Sequence, residues 1–331
     1  MMYRRTFIAI AVGAALAAPR RSDAQVAGKV YRIGYLGQDS KSSSLADGGT
    51  LATLLKNLGA LGYVEGTNLT VESRFADGRP EVLGTLAAQL VQAKPELIAV
   101  ASAGIAEIIL EHTTTIPVVA LSAGQLQAEP SVRSLAKPGG NLTGMQIFAP
   151  ESHGKRLQLL QETVPGLRRV AVLRGVPFAG PGFELYRDAT AAAAAKLGIR
   201  LRFVQFETIN DLNRLFDEMV REQDQALLIW GNPHLNGYRK EIFDLTIRHR
   251  LPAISDSRVN APDLIVYTAK FDEVKREAAT YVDRILKGAN PGDLPIGQPR
   301  TFELIINLKT AKALGLTIPQ SLLLRANEVI R

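Results

Sequence analysis

Short apolar runs alternate along this chain with longer stretches in which apolar residues recur every three or four positions. The runs include VYRIGYL (30–36), the segment 96–101, IPVVAL (116–121), RVAVLR (169–174), QALLIW (225–230), PAIS (252–255) and LIVYT (264–268). Their length and near-continuous apolar character predict strands buried on both faces. NLTVESRF (68–75) alternates as a strand, and NLTGMQIF (141–148) and IRLRFVQF (199–206) read as strands too. The helical spacing falls between them. LATLLKNLGALGY (51–63) stops at Gly62, and PEVLGTLAAQLVQ (80–92) is opened by Pro80. Further helices are expected near 104–112, over HGKRLQLLQETV (153–164), over ELYRDATAAAAAKLG (184–198) and in the stretch up to His249. INDLNRLFDEMV (209–220) reads as a helix capped by Asn210 or Asp211. FDEVKREAATYVDRILKG (271–288) is a helix, PGDLP (291–295) a connector, and RTFELIINLKTAKALGL (300–316) a strand running into a helix. Strand–helix alternation implies parallel sheets with right-handed crossovers. It occurs twice in series, so the expected fold class is α/β, with two doubly wound parallel-sheet lobes.

The first 25 residues stand outside this pattern. Arg4 and Arg5 precede an apolar run from Phe7 to Ala18, and Ser22-Asp23-Ala24 offers a small-x-small cleavage site before Gln25. These features predict a secretory signal peptide over residues 1–24, exported by the general or the twin-arginine route. The run is short for a membrane span. A periplasmic chain with no membrane insertion after cleavage is therefore expected. The formal net charge is +7. Four arginines and one aspartate lie in residues 1–24, which leaves +4 from Gln25 onward. The remaining Lys and Arg are dispersed, with no basic stripe interleaved with aromatics, so no nucleic-acid partner is expected. Cys is absent, which excludes disulfides and thiolate chemistry. His112, His153, His234 and His249 lack metal-ligand spacing.

Doubly wound sheets bind ligands at the carboxyl ends of their strands. After the first strand comes Gln38; after the third, Ser102, Ala103, Gly104 and Ile105; after the fourth, Ser122, Gly124 and Gln125. In the second half the corresponding positions hold Phe178, Trp230, Asn232, Asp256 and Tyr267. Most are small or hydrogen-bonding residues, suited to gripping a polar solute. The stretch Ala101-Ser102-Ala103-Gly104 nearly eliminates side chains where a helix begins. The first amides of a helix lack internal partners and carry the positive end of its dipole, so they suit a carboxylate. Tight packing is the alternative reading of the same small residues. Asp256 is the candidate partner for an amino group, and Phe178 and Trp230 for stacking, against plain core packing. Tyr267 is a candidate for a hinge or pocket role. An enzyme is disfavoured. The spacing of Gly34 and Gly37 does not make a dinucleotide loop, and no phosphate-binding loop or nucleophile elbow occurs. His234 is the nearest approach to a catalytic histidine.

NLGALGYVEGTNLTVESRFADGRPEVLGTLAAQLV (57–91), SLAKPGGNLTG (134–144), GKRLQLLQETVPGLRRVAVL (154–173) and AATYVDRILKGANPGDLPIGQPRTFELIINLKTAKALGLTIPQSLL (278–323) together resemble the substrate-binding proteins of bacterial ABC transporters of the tryptophan/tyrosine-uptake type. The likeness covers nearly all of the chain beyond the signal segment. It implies a type I periplasmic binding fold with a three-crossing hinge. Residues 28–147 plus 269–296 would form the first lobe, and 148–268 plus 297–331 the second. It further implies a monomer without cofactor that closes on a small-molecule solute and delivers it to an ABC transporter permease. Three pocket segments differ from the family pattern. Gly124-Gln125-Leu126 stands where Gly-Asp-Pro is usual, Gly175-Val176-Pro177 where Asn-Pro is common, and Tyr267-Thr268 where Tyr-Gly is usual. A ligand-sensing subunit of a signalling system is the other reading. No helix-turn-helix or kinase segment accompanies it, which favours delivery.

Overall fold

The computed structural model describes residues 28–147, 150–176, 181–231, 233–258 and 263–331. The expected signal segment, Phe178 and Asn232 lie outside the described residues. In the first half the strands are β1 (Tyr31–Gly37), β2 (Leu69–Phe75), β3 (Leu97–Val100), β4 (Val118–Ala123) and β5 (Leu142–Gln146). They are interleaved with helices α1 (Lys41–Leu45), α2 (Thr50–Ala60), α3 (Leu83–Gln92) and α4 (Ala103–His112). The strand order is β2-β1-β3-β4-β5, with every pairing parallel. Alternate residues serve opposite faces. Ile33, Tyr35 and Val119 pack with Leu51, Leu54 and Leu58 of α2. Leu36, Ile98 and Val118 pack with Leu90 of α3 and Ile109 of α4. This two-sided burial explains the near-continuous apolar strands.

The second half holds α5 (Pro150–Thr163), β6 (Arg169–Gly175), α6 (Pro181–Lys196), β7 (Arg200–Phe206), α7 (Ile209–Arg221), β8 (Ala226–Ile229), α8 (Pro233–Asn236), α9 (Arg239–Arg248), β9 (Ala253–Ser255) and β10 (Ile265–Ala269). Then come α10 (Phe271–Leu286), β11 (Phe302–Asn307), α11 (Leu308–Leu314), α12 (Gln320–Leu323) and β12 (Glu328–Ile330). The second sheet has the order β12-β11-β10-β9-β8-β6-β7. It too is covered on both faces, Val170 and Val172 on one side and Ala171 and Leu173 on the other. Two strands depart from the all-parallel expectation: β12 pairs parallel with β11, and β11 runs antiparallel to β10. The apolar run of β11 signals burial but carries no direction, and the chain reaches β11 by returning from the first lobe.

That return is made by α10, which buries Val274, Ala278 and Val282 in the first lobe's core. Three segments therefore pass between the sheets, after β5, after β10 and before β11. They are tied side by side. Gln146 N–H donates to Gly297 O at 2.9 Å, and Gly297 N–H donates to Gly144 O at 2.8 Å. Lys270 N–H donates to Thr301 O at 3.0 Å. Ala269 is the last residue of β10, and Gly297 bridges to Met145 of the first sheet. The cap of α7 also differs from expectation. Thr208 is the N-cap, and Asp211 completes a capping box from the third helical position.

Candidate functional site

The site is built from strand ends. On the first lobe, β3 gives way to α4 through Ser102. The Ser102 side chain caps the helix, its Oγ accepting from Ile105 N–H at 3.4 Å. That leaves Ala103 and Gly104 at the first turn, where amides have no intrahelical partner. Gly104 is exposed, and a Cβ added to it would meet nothing within 4 Å. Packing therefore does not require glycine here, whereas access to the backbone would. The Ile105 side chain is buried in the core, so only its amide belongs to the turn. Half-buried Ser122 sits beside this junction, its Oγ donating to Ala101 O at 3.5 Å. Gly124 and Gln125 follow β4 directly. Gln38 follows β1, whose Leu36 pairs with Val100 at the end of β3. It is exposed, and its carbonyl accepts from Gly78 N–H.

Gln125 reaches the other lobe. It is buried, and its amide approaches the Tyr186 hydroxyl of α6 without meeting hydrogen-bond geometry. The short 3-10 turn Leu126–Ala128 packs against the same helix.

On the second lobe the structure brings together Trp230, Asp256 and Tyr267 with three residues that the sequence reading did not single out: His153, Arg156 and Tyr186. Asp256 is 7% exposed. Its Oδ1 accepts Gly231 N–H at 3.0 Å, and its carbonyl accepts the Thr268 hydroxyl at 2.7 Å. A Cβ on Gly231 would lie 2.5 Å from that Oδ1, so glycine is needed for the carboxylate to come so close. Arg156 is 2% exposed. Its Nε–H donates to Tyr267 O at 3.0 Å, and its Nη1 lies 3.5 Å from His153 Nδ1. Burial holds the Arg156 guanidinium below its usual pKa, while the Asp256 charge opposes that shift. Burial and then the Arg156 charge push His153 well below its usual pKa, so the imidazole is neutral. Burial and then Asp256 push the Tyr186 phenol well above its usual value. Trp230, a stacking candidate, is 4% exposed and packs against the rings of His153, Phe183, Tyr186 and Phe203. It belongs to the wall of the lobe and offers little face to a solute. Tyr267 stacks on Phe302 at 5.3 Å and 10°, joining β10 to the strand that follows the third crossing.

A sequence signal for the missed residues existed. Leu157 and Leu160 mark the buried face of α5, and His153 and Arg156 lie on that same face at helical spacing. An arginine on the apolar stripe of an amphipathic helix is out of place unless something buried calls for it.

Two layered sheets are joined by three side-by-side segments, and comparison with known proteins decides the family. The sequence pattern of the family described as ABC transporter substrate binding protein matches residues 47–330. The chain belongs to that family. ABC substrate-binding proteins are extracytoplasmic, take a small-molecule ligand and serve an ABC permease; the family is one of solute-binding proteins, not of enzymes. Among the described residues no helix is long and apolar enough to cross a membrane. A similar curated relative is the tyrosine-binding protein of Clostridioides difficile strain R20291, 22% identical over 270 residues, covering 79% of this chain and 75% of the relative. Among solved structures, an ABC domain from Streptococcus pneumoniae in complex with L-Trp superposes with a TM-score of 0.79 at 21% identity, over 91% of this chain and 100% of that one. The ligand-free, open structure of a Clostridium difficile substrate-binding protein with adhesive properties gives 0.72 at 21% identity, over 91% and 99%. At these identities the structural likeness establishes the type I periplasmic binding fold.

Proposed function

We propose that this family member is a periplasmic receptor that closes on a small carboxylate-bearing solute, an amino acid or a close relative, and delivers it to an ABC permease. The observation that carries the reading is the exposed, uncrowded first turn of α4 at the carboxyl edge of the first sheet. Its free amides and dipole favour a carboxylate, and Ser102 and Ser122 add hydroxyls beside it. Asp256, from the opposite lobe, supplies a fixed counter-charge for an amino group. The tyrosine- and tryptophan-binding relatives agree with the amino-acid class. The first lobe is taken as 28–147 plus 269–296 and the second as 148–268 plus 297–331, and the protein acts as a monomer. Export would follow cleavage between Ala24 and Gln25, which intact-mass analysis of the exported protein checks.

A thermal-shift screen of carboxylates, amino acids, amines and sugars tests the function. A solute at 100 times its dissociation constant should stabilise the protein by roughly 2.7 kcal/mol. Mass spectrometry of small molecules released on denaturation should identify the same class. A screen in which only cations or neutral sugars stabilise the protein would overturn the carboxylate assignment.

A further inference from the structure

Arg156 is a buried cation whose direct partners are both uncharged. The Tyr267 carbonyl takes Nε–H, and the neutral His153 lies at the edge of hydrogen-bond range. Among the described residues no carboxylate comes within ion-pair distance of its guanidinium. Asp256 acts on it only through its field. The contrast lies in the same lobe. Arg239, equally buried, holds Asp263 at 2.9 Å, and Ser255 completes that pair with a 2.6 Å hydrogen bond. One arginine is thus neutralised within the protein and the other is not.

A guanidinium withdrawn from water without a paired anion is costly, and a carboxylate arriving in its plane recovers that cost through parallel charge-assisted hydrogen bonds. Arg156 also lies within the field of Asp256, the candidate partner for the solute's amino group, and is held to β10 through the Tyr267 carbonyl. We infer that Arg156 takes a carboxylate of the solute from the second lobe, which makes the solute a dicarboxylate, with or without an amino group. This rests on the proposed receptor function, in which α4 takes the first carboxylate. The charges agree. The α4 terminus and Arg156 each receive an anionic end, while Asp256 is available to an intervening ammonium. A neutral tail would leave Arg156 buried without an anion in the closed form.

The test compares matched acids and amides: L-glutamate with L-glutamine, L-aspartate with L-asparagine, and succinate and glutarate with their monoamides. Binding is measured by calorimetry on the wild type, Arg156→Gln and Arg156→Lys. The wild type should prefer at least one diacid over its amide by roughly 100-fold or more, since an unpaired buried charge is expensive. Arg156→Gln should abolish that preference, and Arg156→Lys should restore part of it. Far-ultraviolet circular dichroism and the melting temperature without solute report whether each variant is folded. If Arg156→Gln does not fold, Arg156→Lys decides: an undiminished diacid preference there overturns the inference, because an ammonium cannot reproduce planar two-point binding. A diacid and its amide that bind the wild type within threefold of each other overturn it as well. Binding of monocarboxylates alone overturns it while leaving the receptor function standing. No binding by any acid overturns the carboxylate reading and this inference together.

Discussion

Gly104 and Gly144 are both glycines of the first lobe, yet an added methyl group would meet opposite surroundings. At Gly104 it enters open space. At Gly144, with φ +133°, it overlaps the Ala120 carbonyl oxygen of the neighbouring strand. Gly104→Leu should leave the unliganded melting curve within about 0.5 kcal/mol of wild type. It should weaken solute binding by at least roughly tenfold, or about 1.4 kcal/mol, by covering the amides. Gly144→Ala should destabilise the fold by ~2 kcal/mol or more through strain and backbone overlap. If Gly104→Leu binds as tightly as wild type, the small residues at this junction have nothing to do with solute access. Glu129 offers a titration at the same scale. Burial, and then the Glu107 charge, raise its carboxyl from 4.5 to about 7. A raised acid binds its proton more tightly in the folded chain, so its contribution is full below about pH 4.5 and is lost as pH rises through 7. Melting temperature should therefore fall over that window, and Glu129→Gln should flatten the slope. A slope unchanged by the substitution would assign it to other groups. Since Glu129 closes the 3-10 turn that packs on α6, the same comparison made with solute present reports on the contact between the lobes.

The elements differ in how plainly the sequence announces them. α7 puts Leu212, Leu215, Phe216 and Met219 into the core, and its amphipathic spacing is strong. Its start is less plain, because Asn210 and Asp211 are both good capping types and stand closer to the apolar stripe than Thr208 does. The reciprocal geometry settles it: Asp211 N–H donates to Thr208 Oγ1 at 3.3 Å, and Thr208 N–H donates back to Asp211 Oδ2 at 3.0 Å. Thr208→Ala should cost about 1 kcal/mol, and urea unfolding should show the midpoint falling without a change of slope. Asn210→Ala should be nearly neutral by comparison. Strands such as β1, β3 and β6 were legible because both faces are buried along most of their length, which makes their central residues a nearly continuous apolar run. α1, α12 and β12 were not, since three to five residues carry too little periodicity to distinguish an element from a loop. The direction of β11 was hidden for the reason given by its path. Binding chemistry followed the same division. Strand-end positions can be read from topology, which is how Ser102, Ser122 and Asp256 become candidates. Arg156 lies within a helix and meets β10 through the Tyr267 carbonyl, a placement no strand-end rule reaches.

At the scale of the whole molecule, the three crossings set what the lobes can do. They lie side by side and are hydrogen-bonded to one another, so the lobes have one common axis instead of three independent linkers. The Tyr267–Phe302 stack sits along that axis, and the Arg156 side chain is anchored to the Tyr267 carbonyl. A solute that reaches both α4 and Arg156 is thus bound to one lobe directly and to the other beside its hinge. Such a ligand has more contacts in the closed arrangement than in the open one, and only that difference can shift the equilibrium. Small-angle scattering should show the radius of gyration falling on addition of saturating solute, to a value independent of further excess. The two anchors should also separate. In Gly104→Leu, a solute still held by Arg156 should bind weakly and leave the radius of gyration at its unliganded value, because the first lobe has no grip. If the variant compacts as the wild type does, closure does not depend on α4, and the first carboxylate lies elsewhere in the cleft.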